Sequence, residues 1–240
     1  MRLVLIRHGQ TPSNIVRALD TAPPGADLDE TGRKQAKDLA EHFEQRVGAV
    51  PTHLFVSPLA RTRQTAAPIE ERFGLTAEVA DGIRELIAGD LEMQTSQAAI
   101  ETYLHATMAW VRGELDVRMP GGEDGWQVRA RFGSVISQAC SIAQEDSGEN
   151  AVVGLVTHGA LSRVMAATLS ADITPEIVAT YPMHNATTTV LDWCGADAPW
   201  VGDDKNWKAL TWGGESIDSI DTSQLSDEPT ASGLRSNAEG

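Results

Sequence analysis

The chain has 240 residues, 34 of them acidic against 19 Lys and Arg, for a formal net charge of −15. That balance argues against nucleic acid, whose phosphates are held by clustered Lys and Arg, and against an anionic membrane surface as partners. A hydrophobic share of 41% suits a soluble globular protein, with length for one large domain or two small ones. An acidic protein that takes an anionic ligand must concentrate its positive charge locally.

The first apolar run, Leu3–Ile6, is a buried strand by pattern, and Arg7 interrupts it far short of a signal-peptide core. No apolar run reaches the length of a bilayer span. Cys140 and Cys194 form neither a C-x-x-C pair nor a disulfide framework. These features predict a cytoplasmic protein with reduced thiols.

Arg7-His8-Gly9 follows the first strand, then a turn-rich loop, Gln10–Asn14, and a polar connection through Pro23-Pro24-Gly25. From Thr31, the spacing of Ala36, Leu39, Ala40, Phe43 and Val47 predicts one helix. A second strand, Leu54–Val56, leads through Ser57-Pro58 into a helix bearing Arg61, Ala66, Ile69 and Phe73. Pro58 is expected in its first turn, and Pro68 is expected to kink or crowd it. A short strand near Glu78–Ala80 runs towards Arg84-Glu85.

Residues from about 89 to 125 lack strand signals and read as a helical cap insertion, closed by Pro120-Gly121-Gly122. A long helix from Asp124 carries Trp126, Ala130, Val135, Ile136, Ala139 and Ala143. The strand Val152–Val156 precedes Thr157-His158-Gly159 and another helix, and strands at Thr188–Asp192 and Trp207–Trp212 follow. This order predicts an α/β fold, a three-layer sandwich with a mostly parallel central sheet. The catalytic domain is expected over 1–212. Residues 213–240 hold six acidic residues and a single base, Arg235, and read as an acidic, Ser-rich tail of disorder-like composition.

In an open parallel sheet, loops leaving the carboxyl ends of the strands share one crevice. Arg7-His8, Ser57 to Arg61, and Thr157-His158 would meet there, forming a pocket for a doubly charged anion, phosphate first of all. Phosphoryl transfer needs a nucleophile in line, positive charge around the equatorial oxygens, and a proton source for the leaving group. A neutral His8 can be the nucleophile. Arg7 and Arg61 offer planar forks for phosphate oxygens. His158 adds a donor, Asn14 a neutral one, and Glu85 is the candidate proton donor. Each motif alone also fits an ordinary loop histidine or surface charge. Their joint occurrence at strand ends favours the catalytic reading.

Leu5-Ile6-Arg7-His8-Gly9-Gln10-Thr11 with Asn14 resembles the opening motif of the histidine phosphatase superfamily, the phosphoglycerate-mutase-like proteins. The likeness continues through Leu28–Ala36, Ser57–Ala66, Arg84-Glu85-Leu86, Pro120–Glu123, Val156–Gly159 and Asn185–Thr188, in family order. The resemblance implies a phosphohistidine on His8. Arg7, Arg61, His158 and Asn14 would bind the phosphoryl group, and Glu85 would protonate the leaving alcohol and then activate water. Gly9, Gly159 and Arg17 join the phosphate- or substrate-binding positions. No metal and no other cofactor is expected.

Two blocks depart from the family. Ala88–Met93 stands where many members carry an aromatic-Gly-x-Trp-Glu-Gly run, and the context Gly82–Leu86 favours hydrolysis over mutase chemistry. The expected activity is thus a metal-independent phosphomonoesterase, of the phosphatase branch, acting on a small phosphorylated metabolite. The alternatives are a cofactor-dependent phosphoglycerate mutase and a non-catalytic phospho-ligand-binding protein. Arg112 and Arg118 from the cap, or Arg17, are candidates for a second anionic group, with solvent exposure as their ordinary use. Tyr103, Trp110 and Trp126 fit either core packing or a leaving-group contact, and His184 is a candidate for the pocket rim. The chain leaves oligomeric state open, a homodimer included.

Overall fold

A computed structural model describes residues 1–195 and 205–221. Its centre is a six-stranded sheet of order β3-β2-β4-β1-β5-β6, built from β1 (Arg2–Arg7), β2 (His53–Val56), β3 (Glu78–Val79), β4 (Val152–Thr157), β5 (Thr188–Trp193) and β6 (Trp207–Ala209). β1, β2, β3 and β4 run parallel, and β5 and β6 are added antiparallel at one side. Register matters at the centre: Arg7 of β1 lies opposite Thr157 of β4, so the residues that follow, His8 and His158, leave the sheet side by side.

Strand side chains alternate between faces, and each face here has its own core. Leu3, Leu5, Phe55, Val153 and Leu155 face one way, towards α5 (Gln97–Val111), α6 (Gly125–Ser147), α7 (Gly159–Leu169) and α8 (Pro175–Thr180). Val4, Ile6, Leu54, Val56 and Val156 face α2 (Glu30–Glu41), α3 (Phe43–Val47) and α4 (Ala60–Phe73). Both faces are covered, which is why the central strands read as continuous apolar runs. The expected α/β three-layer architecture is the one observed.

Several local expectations need correction. The turn-rich stretch after β1 is a short helix, α1 (Pro12–Val16), whose start is capped by Thr11 and Asn14 reciprocally, with Pro12 in its first turn. The helix expected from Thr31 is broken at His42 into α2 and α3. Pro58 lies outside α4, which begins at Ala60 with Leu59 as its cap, and the helix continues through Pro68. The last predicted strand is interrupted at Leu210, after which β7 (Thr211–Trp212) pairs with β8 (Glu215–Ser216). Residues 213–221 are therefore folded rather than tail-like, anchored by buried Trp212 and Ile220. The remainder of the expected tail, 222–240, lies outside the described residues. Among the described residues no helix is long and apolar enough to cross a membrane.

Candidate active site

His8 sits just past β1, 4% exposed, and its backbone is fixed by the end of β4 and by the loop that precedes β5. Its N–H donates to Thr157 O (3.0 Å), and its carbonyl accepts from Ala186 N (3.1 Å) and Asn185 Nδ2 (3.0 Å). The ring is fixed too. Nδ1 lies 2.7 Å from Gly9 O, which only an N–H can satisfy, so the proton belongs on Nδ1 and Nε2 carries the lone pair. Burial, then Arg61 and Arg7, hold the His8 pKa well below its usual value, so the imidazole is neutral.

Nε2 is met by Arg61, whose Nε donates to it across 3.1 Å. Arg61 enters from the first turn of α4 and is anchored by Asp20: Nη2 donates to Asp20 O (2.8 Å) and Nη1 lies 3.6 Å from Asp20 Oδ1. Asp20 is itself held by Ser13 Oγ (2.7 Å) and Ala26 N (3.0 Å). Arg7 leaves the end of β1, donates from Nη1 to Met183 O, and packs against Gly159, where a Cβ would stand 3.0 Å from Arg7 Nε. Burial first, then the charge of Arg163, push Arg7 down to about 9, still cationic at neutral pH.

Glu85 reaches the site from the loop between β3 and α5. Its carboxylate lies at the start of α7, accepting from Leu161 N (2.9 Å) and Ala160 N (3.2 Å), and from Leu86 N (2.9 Å). Arg131 of α6 clamps that loop, donating to the carbonyls of Gly82 (2.7 Å), Arg84 (2.9 Å) and Glu85 (3.1 Å) while paired with both oxygens of Glu123. The segment that departs from the family run still works structurally: Glu92 accepts from the backbone N–H groups of Thr21 (2.9 Å) and Ala22 (3.0 Å).

Arg7, His8, Asn14, Arg61, Glu85 and Gly159 line one cavity of about 140 Å³ together with Tyr103 and Arg163. It opens beside a larger one of about 460 Å³. His158 is brought next to His8 but behind it: the rings meet edge to face at 5.3 Å, and His158 Nε2 bonds Ser57 Oγ at 2.8 Å. Arg7 Nε, Arg61 Nη1 and His158 Nδ1 are buried with no hydrogen-bond partner among the described residues. Buried polar groups are rarely left so; Arg7 and Arg61 line the smaller cavity, whereas His158 does not. Among the described residues no three His, Cys, Asp or Glu side chains gather as a metal site.

Other expected residues fall elsewhere. Gly9 spends its N–H on Thr65 Oγ1 (3.0 Å) and its carbonyl on His8, and its close approach to Gly32 leaves no room for a Cβ, so it positions His8 and does not face the ligand. Asn14 lines the cavity, with Oδ1 accepting from Thr11 N (3.1 Å) and Asn185 Nδ2 (3.2 Å). Arg17 and Arg112 line the larger cavity only. Arg118 is turned away, bonded to Asp124 and to Gly122 O, and His184 lines neither cavity. Trp110 is core, whereas Trp126 is 54% exposed with Nε1 on Asp116.

Arg163 was not anticipated, although a lone charge in the apolar helix Gly159–Leu169 was the available signal. It is buried and lines both cavities. Asp20 and Arg131, the anchors of Arg61 and of the Glu85 loop, were likewise missed, since loop acids and helix arginines are usually solvated.

Residues 3–202 match the family model described as the histidine phosphatase superfamily (branch 1). The glucosyl-3-phosphoglycerate phosphatase of Mycobacterium tuberculosis is 33% identical over 198 residues, which cover 79% of this chain and 84% of that one. A PE-PGRS family protein of the same organism is 38% identical over 123 residues, half of this chain but only 20% of that protein's length. The solved structure of a mycobacterial glucosyl-3-phosphoglycerate phosphatase with VO3 superposes with a TM-score of 0.69 at 31% identity, covering 88% of this chain and 98% of that one. The fold, the strand-end constellation and these likenesses agree, and the chain belongs to the histidine phosphatase superfamily, whose members carry out phosphoryl transfer.

Proposed function

We propose that this chain is a phosphatase of a small phosphorylated metabolite that works through a phosphohistidine on Nε2 of His8, without a metal ion. The observation that carries this reading is His8, held neutral with its proton on Nδ1 and with Nε2 bonded to Arg61 at the wall of a pocket that Arg7 and Arg61 both line. Phosphate entry moves the Arg61 donor from Nε2 to a phosphoryl oxygen, which exposes the nucleophile. Nε2 then forms a bond to phosphorus as the ester P–O bond breaks. Glu85 gives its proton to the departing oxygen. In the second half, Glu85 takes a proton from water, the water oxygen bonds to phosphorus, the P–N bond breaks, and orthophosphate leaves.

Arg7 and Arg61 are the donors for the non-bridging oxygens once Arg61 has turned from Nε2, and His158, packed behind His8 with Nε2 on Ser57, supports the imidazole. Asn14 is a neutral ligand on the same wall. The relative's name gives its substrate as glucosyl-3-phosphoglycerate, a small phosphorylated metabolite of the class proposed here.

The test is phosphate release from a panel of phosphorylated metabolites, with EDTA present, by wild type and by His8→Ala. Release that survives chelation and is lost in the variant supports the reading. Isomerisation of a phosphoglycerate without phosphate release would replace it with a mutase.

A further inference from the structure

We propose that Arg131 and Thr157 are positioning residues for Glu85, suspending the segment Gly82–Leu86 by its carbonyls and so setting where the acid meets the leaving oxygen. This rests on the reading in which Glu85 is the acid. It assigns the placement of that acid to two side chains that line neither cavity. Residues 84–88 belong to no helix and no strand, yet a half-buried backbone still needs partners for its polar groups. Side chains supply them. The five consecutive carbonyls from Gly82 to Leu86 accept from side chains of three different elements. Arg131 of α6 takes those of Gly82, Arg84 and Glu85. Thr157 Oγ1, at the end of β4, donates to Ile83 O at 2.6 Å, and the Tyr103 hydroxyl of α5 donates to Leu86 O at 3.1 Å.

The geometry leaves this hold little slack. All five N–H groups of the Arg131 guanidinium are engaged, three on this segment and two on the carboxylate of Glu123. Glu123 is buried and accepts from Ile87 N at 3.4 Å, at the far end of the same segment. Gly82 lets the chain seat on α6, since a Cβ there would stand 2.3 Å from the carbonyl oxygen of Arg131. Thr157 joins the hold to the nucleophile: its carbonyl accepts from His8 N at 3.0 Å while its hydroxyl holds Ile83 O. One fully buried residue thus fixes the spacing between His8 and the segment that bears the acid. Support of this kind keeps a reacting group within about 0.5 Å of its productive place. A displacement of about 1 Å can cost about 10²-fold in rate.

Tyr103 lines both cavities, so the test uses Arg131 and Thr157. Phenyl phosphate and p-nitrophenyl phosphate are alike in shape, but the phenol needs a proton to leave and the nitrophenolate does not. Thr157→Val should lose about tenfold or more in kcat/KM on phenyl phosphate and about threefold or less on p-nitrophenyl phosphate. Thr157→Ser, which keeps the hydroxyl, should recover most of that loss. Arg131→Met/Glu123→Gln removes both charges together, so neither is left buried alone, and should show the same selective loss. If the double variant does not fold, the Thr157 pair decides. A merely structural defect, including one passed to His8 through Thr157, lowers both esters alike. Equal losses on the two esters, or no loss, would overturn the proposal. Glu85→Gln is measured alongside. Selective loss there with equal losses in the other variants leaves the acid in place and rejects its positioning residues, whereas equal losses in Glu85→Gln reject the acid itself. Deuterium exchange at Ala160 and Leu161, whose amides donate to the Glu85 carboxylate, answers without turnover. It should quicken in the double variant, and unchanged exchange would show that Glu85 stays in place without Arg131.

Discussion

Arg61 Nε lies 3.1 Å from Nε2 of His8, and Asp20 holds the far side of the same guanidinium. The imidazole proposed as nucleophile and the guanidinium proposed to bind phosphate are thus set against each other.

Arg61→Lys should act as a severe substitution, because a lysine lacks the planar fork that spans His8 and Asp20. Loss of a preorganised donor of this kind typically costs about 10²–10³ in kcat. Asp20→Asn should fall between wild type and Arg61→Lys, since the backbone carbonyl of Asp20 still anchors Nη2. Steady-state kinetics on one ester decides this. An Arg61→Lys enzyme within a few-fold of wild type would remove Arg61 from the transition state.

Glu85→Gln keeps the shape of the side chain and removes its proton chemistry. With an alkyl phosphate the rate should drop about 10²–10⁴-fold, the usual worth of a general acid. With p-nitrophenyl phosphate, whose leaving group departs without protonation, the loss in the phosphorylation step should be much smaller. Equal losses for both esters would show that Glu85 is not the acid for the leaving group.

His8 and His158 are both held neutral, with pKa values well below 6.5, by burial first and neighbouring arginines next. In the unfolded chain both protonate near pH 6.5, so below that pH the unfolded state binds more protons than the native one. Stability is therefore fully present above about pH 6.5 and falls as pH drops below it, by about 1.4 kcal/mol per pH unit for each histidine. Urea unfolding of wild type and His8→Asn between pH 7.5 and 5.5 should show the shallower slope in the variant. The same depression keeps the His8 lone pair available, so the acid limb of kcat/KM attributable to it should lie below pH 6.5. Parallel slopes in the two proteins would show that His8 is not held neutral by the fold.

Much of this site was legible because its parts end strands. Arg7-His8 and Thr157-His158 each follow an apolar run buried on both faces, and parallel register then puts them together without further information. The Glu85 carboxylate needed the start of α7, which no local pattern links to residue 85. Arg163 was hidden by the apolar residues around it, which marked the helix as core and drew attention from its one charge. His158 shows a different limit: its motif places it beside His8, but not behind it with Nε2 on Ser57. Composition misled at the far end, where serines and acids outweighed Trp212 and Ile220, the residues that fold 213–221 onto the sheet. Spacing misled at Trp126, which shares a helix with core residues yet lies in solvent on Asp116.

The most direct test of the central claim is to trap the phosphoenzyme. Wild type and Glu85→Gln, mixed with substrate and quenched without acid, should carry one phosphoryl group on a single peptide, with the modification mapped by mass spectrometry to His8 and labile to acid. His8→Ala should carry none. A phosphoryl group on another residue, or hydrolysis with no phosphoenzyme at any time point while turnover proceeds, would contradict the mechanism.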